Sequence, residues 1–304
     1  MNFTMLDYRR MAVFAAVVRH GSLSQAARRL GISTSAVSQH LRALEQAFGV
    51  TLVHRTTRKL TLTDAGEGFA AHCLAMVSAA EQAQAQLQLA HEAPVGQLRI
   101  AAPVGFARHV GPALAPLLER HPGLDLHLLV ADEMIDLVEA RIDLALRAGR
   151  LPDSSWTARR LCAFDMVLCA SPSYLAAHGT PHTPVELASH RWLGSPRDGA
   201  GVALTLGSAD GAAVAVQVTP RVTSNNQFSL QQMCAAGLGI AAMVRPDIEH
   251  DLRSGRLVPV LPGWTLPAIP ILAVTPQRDA QPAKVRHAIA ALQDYLRDTP
   301  GAHA

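Results

Sequence analysis

Side chains that can bind nucleic acid lie together between residues 33 and 42. Apolar residues recur along this stretch at intervals of four, three and four, which would give a helix an inward face of Val37, Leu41, Leu44 and Phe48. Ser33 can cap that helix, and its outer face would carry Thr34, Ser35, Ser38, Gln39 and Arg42. Glutamine can pair with adenine and arginine with guanine, while hydroxyls reach phosphates or base edges. The pattern predicts a helix that reads the major groove of DNA; the alternative is an ordinary surface helix with a solvated polar face.

The residues before this helix predict its partner helices. A first helix is expected from about residue 6 to residue 19. Ser22 and Gln25 then form a Ser-x-x-Gln capping box that starts a second helix. Gly31 suits the left-handed residue that ends it. Two helices joined by a short glycine turn are typical of a helix-turn-helix.

The residues after the helix predict a wing. Residues 50–53 and 59–63 are two short β-prone runs. The hairpin between them would carry Arg55 and Arg58, and arginine is the side chain that enters a narrow, electronegative minor groove. Together these elements predict a winged helix-turn-helix over residues 1–63.

The charge of the chain is concentrated in that segment. Residues 1–63 hold nine basic residues against two acidic ones and so carry +7. The whole chain carries only +3, which leaves −4 on the remaining residues. A basic module ahead of a mildly acidic body indicates a polyanion partner. Because aromatic residues make up only 4% of the chain, base stacking on single strands is disfavoured and double-stranded DNA is the expected partner.

A long helix is expected next, over about residues 64–92, capped by Thr63 or Asp64. Its apolar residues repeat at alternating intervals of four and three, which predicts a seam of Phe69, Cys73, Met76, Ala80, Ala83, Leu87 and Ala90. The favoured interpretation is pairing of two copies of the chain along this seam, since paired heads suit a pseudo-palindromic site. The alternative is a single helix packed on its own domain. Cys73 is interpreted as a plain core cysteine and not as a redox switch.

Several classes of protein are disfavoured by what the sequence lacks. No apolar run reaches the roughly 18 residues of a membrane span, and Arg19 and His20 end the early apolar stretch where a signal peptidase site would be needed. The four cysteines form neither a disulfide framework nor a CxxC metal site, which fits a reducing cytoplasm. No HExxH, GxSxG or dinucleotide fingerprint indicates an enzyme, so no catalytic residue, cofactor or metal is expected. A secreted solute-binding protein would not explain residues 1–63.

The first part of the chain resembles the DNA-binding domain of LysR-type transcriptional regulators. The stretch from Phe14 to Glu45 contains Ser22-Leu-Ser-Gln-Ala-Ala-Arg-Arg-Leu-Gly-Ile-Ser33, and Arg55-Thr-Thr-Arg-Lys-Leu-Thr-Leu-Thr-Asp-Ala-Gly66 is similar to that family's wing and linker helix. One departure is Val53, where the family usually has phenylalanine. The resemblance implies a homodimer or homotetramer that binds promoter DNA, responds to a small effector and contacts RNA polymerase.

Residues 94–304 are expected to form an α/β module. Strands are predicted over residues 98–102, 124–130, 143–147, 239–244 and 269–274, and helices over 105–120, 134–141, 230–237 and 283–297. The early alternation of strands and helices predicts a parallel sheet. The order favours two subdomains, about 94–162 with 269–304 and about 163–268. This layout is similar to the family's regulatory domain, which resembles periplasmic binding proteins.

Ligands of such sheets bind beyond the carboxyl ends of strands, near helix N-termini. This rule selects three groups of candidate effector contacts: Pro103, Val104, Gly105 and Phe106; Arg147; and Ser224, Asn225, Asn226 and Gln227. Arg147 would hold a carboxylate and Phe106 would cover an apolar body, so the effector would be anionic or aromatic. The alternatives are a salt bridge from Arg147 to Asp143 or another acidic residue, and turn or capping chemistry for the asparagine pair. Ala102-Pro103-Val104 lacks the hydroxyl often found in this loop in the family, which favours a less polar effector.

Acidic residues lie at the start of the predicted helix 134–141. Asp132, Glu133 and Asp136 are interpreted there as capping residues that compensate the helix dipole.

Overall fold

A computed structural model describes residues 5–55, 60–132, 135–149, 156–195, 201–276 and 281–303, except for the side chains of residues 5, 6 and 55. The chain divides into two compact units, residues 1–89 and 90–304.

The first unit begins with the helices α1 (Met5–His20), α2 (Leu23–Leu30) and α3 (Thr34–Phe48). A short antiparallel hairpin of β1 (Val53–Arg55) and β2 (Leu60–Leu62) follows, and α4 (Asp64–Glu92) then runs past the end of the unit. The apolar faces of these elements enclose Phe14, Leu41, Leu44 and Cys73, which are fully buried. The winged helix-turn-helix head and the long helix after it are therefore present as expected.

Local capping chemistry sets the helix boundaries. The hydroxyl of Ser22 accepts a hydrogen bond from the Gln25 N–H at 3.1 Å, and that of Ser33 accepts one from the Ala36 N–H at 3.1 Å. Gly31 ends α2 with a φ of +67°, a conformation that costs glycine little. Thr63 caps α4, because its hydroxyl accepts a hydrogen bond from the Gly66 N–H at 2.9 Å.

The first strand of the wing is shorter than predicted and begins at Val53, not at residue 50. The carboxylate of Glu45 on α3 accepts hydrogen bonds from the N–H groups of Leu52 and Val53, at 2.8 and 3.2 Å. Leu52 and Val53 are both buried, so they fill the core position where the family usually has phenylalanine.

The predicted apolar seam of α4 does not lie on one free surface. Phe69, Cys73 and Met76 pack into the core of the first unit, and the Phe69 ring lies 5.6 Å from that of Phe14. Beyond this point the helix is exposed, and Leu87 keeps 74% of its surface accessible. The alternative of a helix packed on its own domain is thus correct for the first half of α4.

The second unit contains the remaining elements. Its strands are β3 (Gly96–Ala102), β4 (Leu124–Val130), β5 (Leu144–Ala148), β6 (Thr157–Phe164), β7 (Met166–Ala170), β8 (Trp192–Gly194), β9 (Val202–Ser208), β10 (Ala213–Val218), β11 (Pro220–Thr223), β12 (Ala241–Val244), β13 (Val258–Pro259), β14 (Trp264–Thr265), β15 (Ile269–Thr275) and β16 (Ala302–His303). Its α-helices are α5 (Val104–Arg120), α6 (Pro172–His178), α7 (Gln227–Ala235), α8 (Arg245–Ser254) and α9 (Ala283–Arg297), with a 3₁₀ helix over Pro184–Ser189. Compared with the predictions, α7 starts three residues earlier and β12 two residues later.

One subdomain of this unit is built on a six-stranded sheet in the order β16-β6-β15-β5-β3-β4. β3 is parallel to β4 and β5, whereas β15 is antiparallel to β5 and β6. The sheet is therefore mixed, and the expectation of a parallel sheet holds only for β3, β4 and β5. The reason is that the chain returns from the second subdomain through β15, which enters from the opposite end. Helices α5 and α9 cover one face.

The second subdomain carries three smaller sheets, β12-β7-β13, β10-β9-β14 and β11-β8. Helices α6, α7 and α8 pack around them, with cores that include Tyr174, Trp192 and Cys234. The second unit is thus an α/β unit of two subdomains, as expected.

The helix predicted over residues 134–141 is wrong for its described part, because residues 137–141 form turns and residues 135 and 136 have no regular structure. The Asp136 carboxylate accepts hydrogen bonds from the N–H groups of Val138 and Glu139, at 2.8 and 3.0 Å. Arg141 then adopts a φ of +52°, which stops helical propagation.

No helix in the described part of the chain combines the length and the apolar character that crossing a membrane requires.

Candidate nucleic-acid interface and ligand cavity

The outer face of α3 presents the predicted polar side chains together. Thr34, Ser35, Gln39 and Arg42 are exposed, and Ser38 is half-buried. Ser33 lies at the start of the same face, but its hydroxyl caps the helix and lies 2.9 Å from the Ser35 hydroxyl. One helix face therefore offers an amide, a guanidinium and several hydroxyls to an external partner.

Close packing on the inner side fixes the position of this face. Val37 is fully buried against Ala26 and Ala27 of α2, whose small side chains let the two helices approach. Val13 and Val17 of α1 complete this cluster. The polar face of α3 is thus carried by a packed three-helix core and not by a loop.

The wing is described only at its base. Val53 pairs with Leu62 and Arg55 with Leu60 in antiparallel register. The Arg55 side chain and all of Arg58 lie outside the described residues. Their predicted DNA contacts stay predictions.

A cavity of about 440 Å³ lies between the two subdomains of the second unit. Asp132 and Ile269 line it from the first subdomain, and most of its wall comes from the second. Three of the predicted effector contacts, Ser224, Asn225 and Gln227, are among its lining residues. Other parts of the wall were not anticipated, including Met166, Trp192, Ser195, Val202, Leu204, Val218, Leu230 and Met243.

Asp132 joins the two subdomains at the cavity. One carboxylate oxygen accepts a hydrogen bond from the Val104 N–H at 2.8 Å, and the other accepts one from the Asn226 side-chain amide at 3.3 Å. Asp132 therefore caps α5, 28 residues away in sequence, and the interpretation that it caps a local helix is wrong. Its position after the carboxyl end of β4 is the signal that would have placed it in the site.

The predicted residues of the first loop take different positions. Pro103, Val104 and Gly105 are half-buried near Asp132 but are not among the described residues that line the cavity. Phe106 is only 4% exposed, with its ring 5.4 Å from His109 and 6.0 Å from Phe164. The expectation that Phe106 covers a ligand is wrong, because its ring belongs to the core under α5.

The structure decides two questions left open by the sequence: whether Asn226 caps a helix, and whether Arg147 forms a salt bridge to Asp143. The Asn226 side chain caps α7 by accepting a hydrogen bond from the Ser229 N–H at 2.9 Å, so capping chemistry is confirmed there. Arg147 makes no salt bridge to Asp143, because that carboxylate accepts hydrogen bonds from the Lys284 ammonium at 2.6 Å and the Arg99 N–H at 2.9 Å.

Arg147 is buried, and its Nη2 atom lacks a hydrogen-bond partner among the described residues. Burial lowers the pKa of its guanidinium below the ordinary value. It pairs with Leu272 in the sheet and is not among the described lining residues of the cavity. A buried donor without an acceptor costs free energy, so Nη2 is a position where an accepting oxygen would stabilise the side chain.

A second carboxylate lies beside the start of α5. Asp247 on α8 is buried, and burial raises its pKa to about 6, with a further raising effect from Asp132 and a lowering effect from Arg108. The Arg108 guanidinium donates a hydrogen bond to the main-chain carbonyl of Asp247 at 2.9 Å. The junction of the subdomains is therefore rich in negative charge.

Two family models match the chain. Residues 8–67 match the model described as a bacterial regulatory helix-turn-helix protein of the lysR family, and residues 91–297 match the LysR substrate binding domain.

Characterised relatives match over nearly their whole length. The transcriptional regulator PtxR of Pseudomonas aeruginosa is 34% identical over 97% of this chain and 95% of its own. The transcriptional activator AaeR of Escherichia coli is 35% identical over 95% of this chain and 93% of its own. Both are transcriptional regulators by name.

Solved structures show the same architecture. The full-length structure of the Vibrio cholerae virulence activator AphB superposes with a TM-score of 0.70 at 28% identity, covering 94% of this chain and 98% of that one. CrgA of Neisseria meningitidis, a LysR-type transcriptional regulator, gives a TM-score of 0.57 at 31% identity, covering 97% and 99%.

Proposed function

The chain belongs to the LysR family of bacterial transcriptional regulators, and we propose how its parts share that work. It is a DNA-binding regulator with a substrate-binding regulatory domain, and it is not an enzyme. In our proposal residues 1–63 bind promoter DNA, residues 64–93 link and pair the subunits, and residues 94–304 bind the effector. We place the protein in the cytoplasm, where promoter DNA and RNA polymerase, its further proposed partner, are found.

The proposed DNA contacts come from α3 and the wing. Gln39 and Arg42 would read base edges, whereas the hydroxyls of α3 and the wing arginines would hold phosphates or the minor groove, through Ser33, Thr34, Ser35, Ser38, Arg55 and Arg58. The observation that carries this proposal is the exposed polar face of α3, which is held on a buried apolar core.

The proposed effector site is the cavity between the subdomains. Ser224, Asn225 and Gln227 line it directly, and Val104 and Asn226 support its rim through their hydrogen bonds to Asp132. Pro103 and Gly105, the neighbours of Val104 in the chain, stay proposed contacts at this rim. Of the two effector chemistries inferred from the sequence, aromatic and anionic, the apolar walls favour the aromatic one. Arg147 stays a proposed effector contact although it is not among the described residues that line the cavity. Its guanidinium is buried near the end of β5 without a partner for Nη2 among the described residues, and it would donate to an oxygen of an effector that extends past the described walls.

Homodimers or homotetramers would form in part through the second half of α4. Ala80, Ala83 and Leu87 are exposed there and repeat at heptad spacing. Pairing two heads would let the protein bind two half-sites, and a change in subdomain closure would alter the spacing of the heads.

Fluorescence anisotropy tests the proposal directly. The purified protein is titrated onto DNA from just upstream of its own gene and onto scrambled DNA, at two salt concentrations. We expect a preference of about 10³-fold or more for the upstream DNA. Equal binding to both DNAs that is lost at the higher salt concentration would show only sequence-independent binding by basic residues. No binding to either DNA at low salt would overturn the proposal that the protein binds its promoter.

A further inference from the structure

The amino end of α5 is already occupied by carboxylates of this chain. Helix N-termini attract anions because their N–H groups are unpaired and the helix dipole is positive there. Here the first residue of the helix, Val104, donates its N–H to Asp132 at 2.8 Å. Pro103, just before it, has no N–H to offer. Asp132 therefore takes the first N–H of this helix, and its negative charge lies where an anionic ligand would usually bind.

Asp247 closes the other side of the same helix end. A Cβ atom built on Gly105 would lie 2.7 Å from a carboxylate oxygen of Asp247, so this carboxyl group packs directly against the backbone of α5. The negative charges of Asp132 and Asp247 repel each other, and this repulsion contributes to the raised pKa of Asp247. Arg108 offsets part of this charge, but its guanidinium donates hydrogen bonds to the main-chain carbonyl oxygens of Pro246 and Asp247 and not to either carboxylate.

The cavity beyond this helix end has apolar walls. Leu193, Val202, Leu204, Val218, Leu230 and Met243 supply much of its surface. Among the described lining residues Asp132 is the one charged side chain, and the remaining polar groups are hydroxyls and amides. Asp132 uses one lone pair of each oxygen for Val104 and Asn226, and an ionised carboxylate can accept further hydrogen bonds.

We propose that this cavity takes a hydrophobic molecule with a neutral or cationic hydrogen-bond donor, an alcohol or an amine, which donates to Asp132, and that it rejects carboxylates of the same shape. The proposal rests on the effector site proposed above and names the chemical class of its ligand. Apolar walls supply affinity, and the carboxylates at the end of α5 supply selection against anions through like-charge repulsion.

Three probes that share one ring system test the assignment: 2-naphthylmethanol, 2-naphthylmethylamine and 2-naphthoate. Their binding to the full-length protein is measured by isothermal titration calorimetry at neutral pH. We expect the alcohol and the amine to bind, and naphthoate to bind at least about tenfold more weakly than either. Equal or tighter binding of naphthoate, or binding of none of the three, overturns the assignment.

The substitution Asp132→Asn separates charge from packing. The asparagine oxygen still accepts the Val104 N–H, while the negative charge is lost. We expect naphthoate to gain affinity and the amine to lose it, so that their preference shifts by about tenfold or more. A merely structural role would weaken all three probes alike and would overturn the proposal. The matched control is Asp125→Asn, an exposed carboxylate at the amino end of β4, which should leave the preference unchanged.

Promoter binding distinguishes failure of the ligand class from failure of effector control. If the alcohol and the amine bind in preference to naphthoate but leave promoter affinity unchanged, the proposed ligand class is supported. The proposal that this cavity controls DNA binding is then overturned. If naphthoate binds best and changes promoter affinity, effector control stands and the ligand class is overturned.

Discussion

Gln39 is an exposed amide on the first half of α3, one turn from the exposed guanidinium of Arg42. An amide that pairs with adenine in the major groove discriminates between bases, whereas a phosphate contact does not. We expect Gln39→Ala to flatten the preference at one base pair of the operator by about 1–3 kcal/mol. Anisotropy across a series of singly substituted operators measures this effect.

The control for Gln39 is Gln84→Ala, which removes the same side chain from an exposed position on α4. This variant should have the same base preference as the parent protein at every position of the operator series. If Gln39→Ala also kept full discrimination at every position, Gln39 would not be a base-reading residue.

The buried carboxyl group of Asp247 gives stability a pH dependence. Its folded-state pKa of about 6 lies above the ordinary value of 3.8, so the folded protein holds this proton more tightly than the unfolded chain. Stability is therefore lost as pH rises from about 4 to about 6, and the penalty is complete above that range. We expect Asp247→Asn to stabilise the protein by roughly 2 kcal/mol near pH 7 and to have little effect near pH 4.

Thermal unfolding of parent and variant across this pH range measures the Asp247 effect. Asp294→Asn serves as the control, since that carboxylate is exposed beside Arg297 on α9. A stability difference between the Asp247 variant and the parent that stayed constant from pH 4 to pH 7 would contradict the assignment of the buried proton.

At the scale of single elements, the sequence predicts best where the cause is local. The caps at Ser22 and Ser33 and the end of α2 at Gly31 depend on atoms within a few residues, and they form as expected. The starting point of β1 depends on Glu45, whose carboxylate reaches Leu52 seven residues further along the chain. No local pattern carries that contact.

The site shows the same division between local and distant causes. The crossover residues Ser224 and Gln227 could be selected because they follow the end of a strand. For Asp132 the sequence predicts only a local cap, since its hydrogen bond to Asn226 joins residues 94 positions apart. The wall around Trp192 is assembled from several separate strands, and no spacing in the sequence connects them.

Helix α4 shows that an apolar repeat in the sequence does not indicate which surface the helix packs against. The heptad repeat is continuous, yet Cys73 is fully buried in its own unit while Leu87 is exposed. Burial raises the pKa of the Cys73 thiol to about 11, which suits a core residue and not a reactive thiolate. The first half of the repeat thus packs into the core of its own unit, and the second half is an exposed apolar surface.

If the exposed half of α4 pairs two subunits, a charge at Leu87 would be buried without a partner. We expect Leu87→Arg to weaken self-association by about tenfold or more while leaving the fold of the monomer intact. Sedimentation velocity over a range of protein concentrations measures this change. The neighbouring exposed Gln86→Arg is the control, and equal association by both variants would remove this half of α4 from the interface.

At the scale of the whole molecule, charge and chemistry are divided along the chain. Residues 1–63 carry +7 and the rest −4, so a polyanion is attracted to the head and repelled by the body. Negative charge also lies next to the proposed effector cavity, because Asp132 lines this cavity and Asp247 packs against the start of α5. We therefore expect the positive charge of residues 1–63 to attract DNA, and the carboxylates near the cavity to disfavour anionic effectors.

This division of labour predicts that effector response can be lost without losing DNA binding. Arg147 lies in the regulatory unit, and its buried Nη2 lacks a partner among the described residues. We expect Arg147→Met to abolish the effect of 2-naphthylmethanol on promoter affinity and to keep the ligand-free affinity unchanged. Removing a buried charge that lacks a full set of partners should also raise stability by about 1 kcal/mol. Arg297→Met, at an exposed arginine, should change neither property, whereas a normal response by the Arg147 variant would exclude Arg147 from effector recognition.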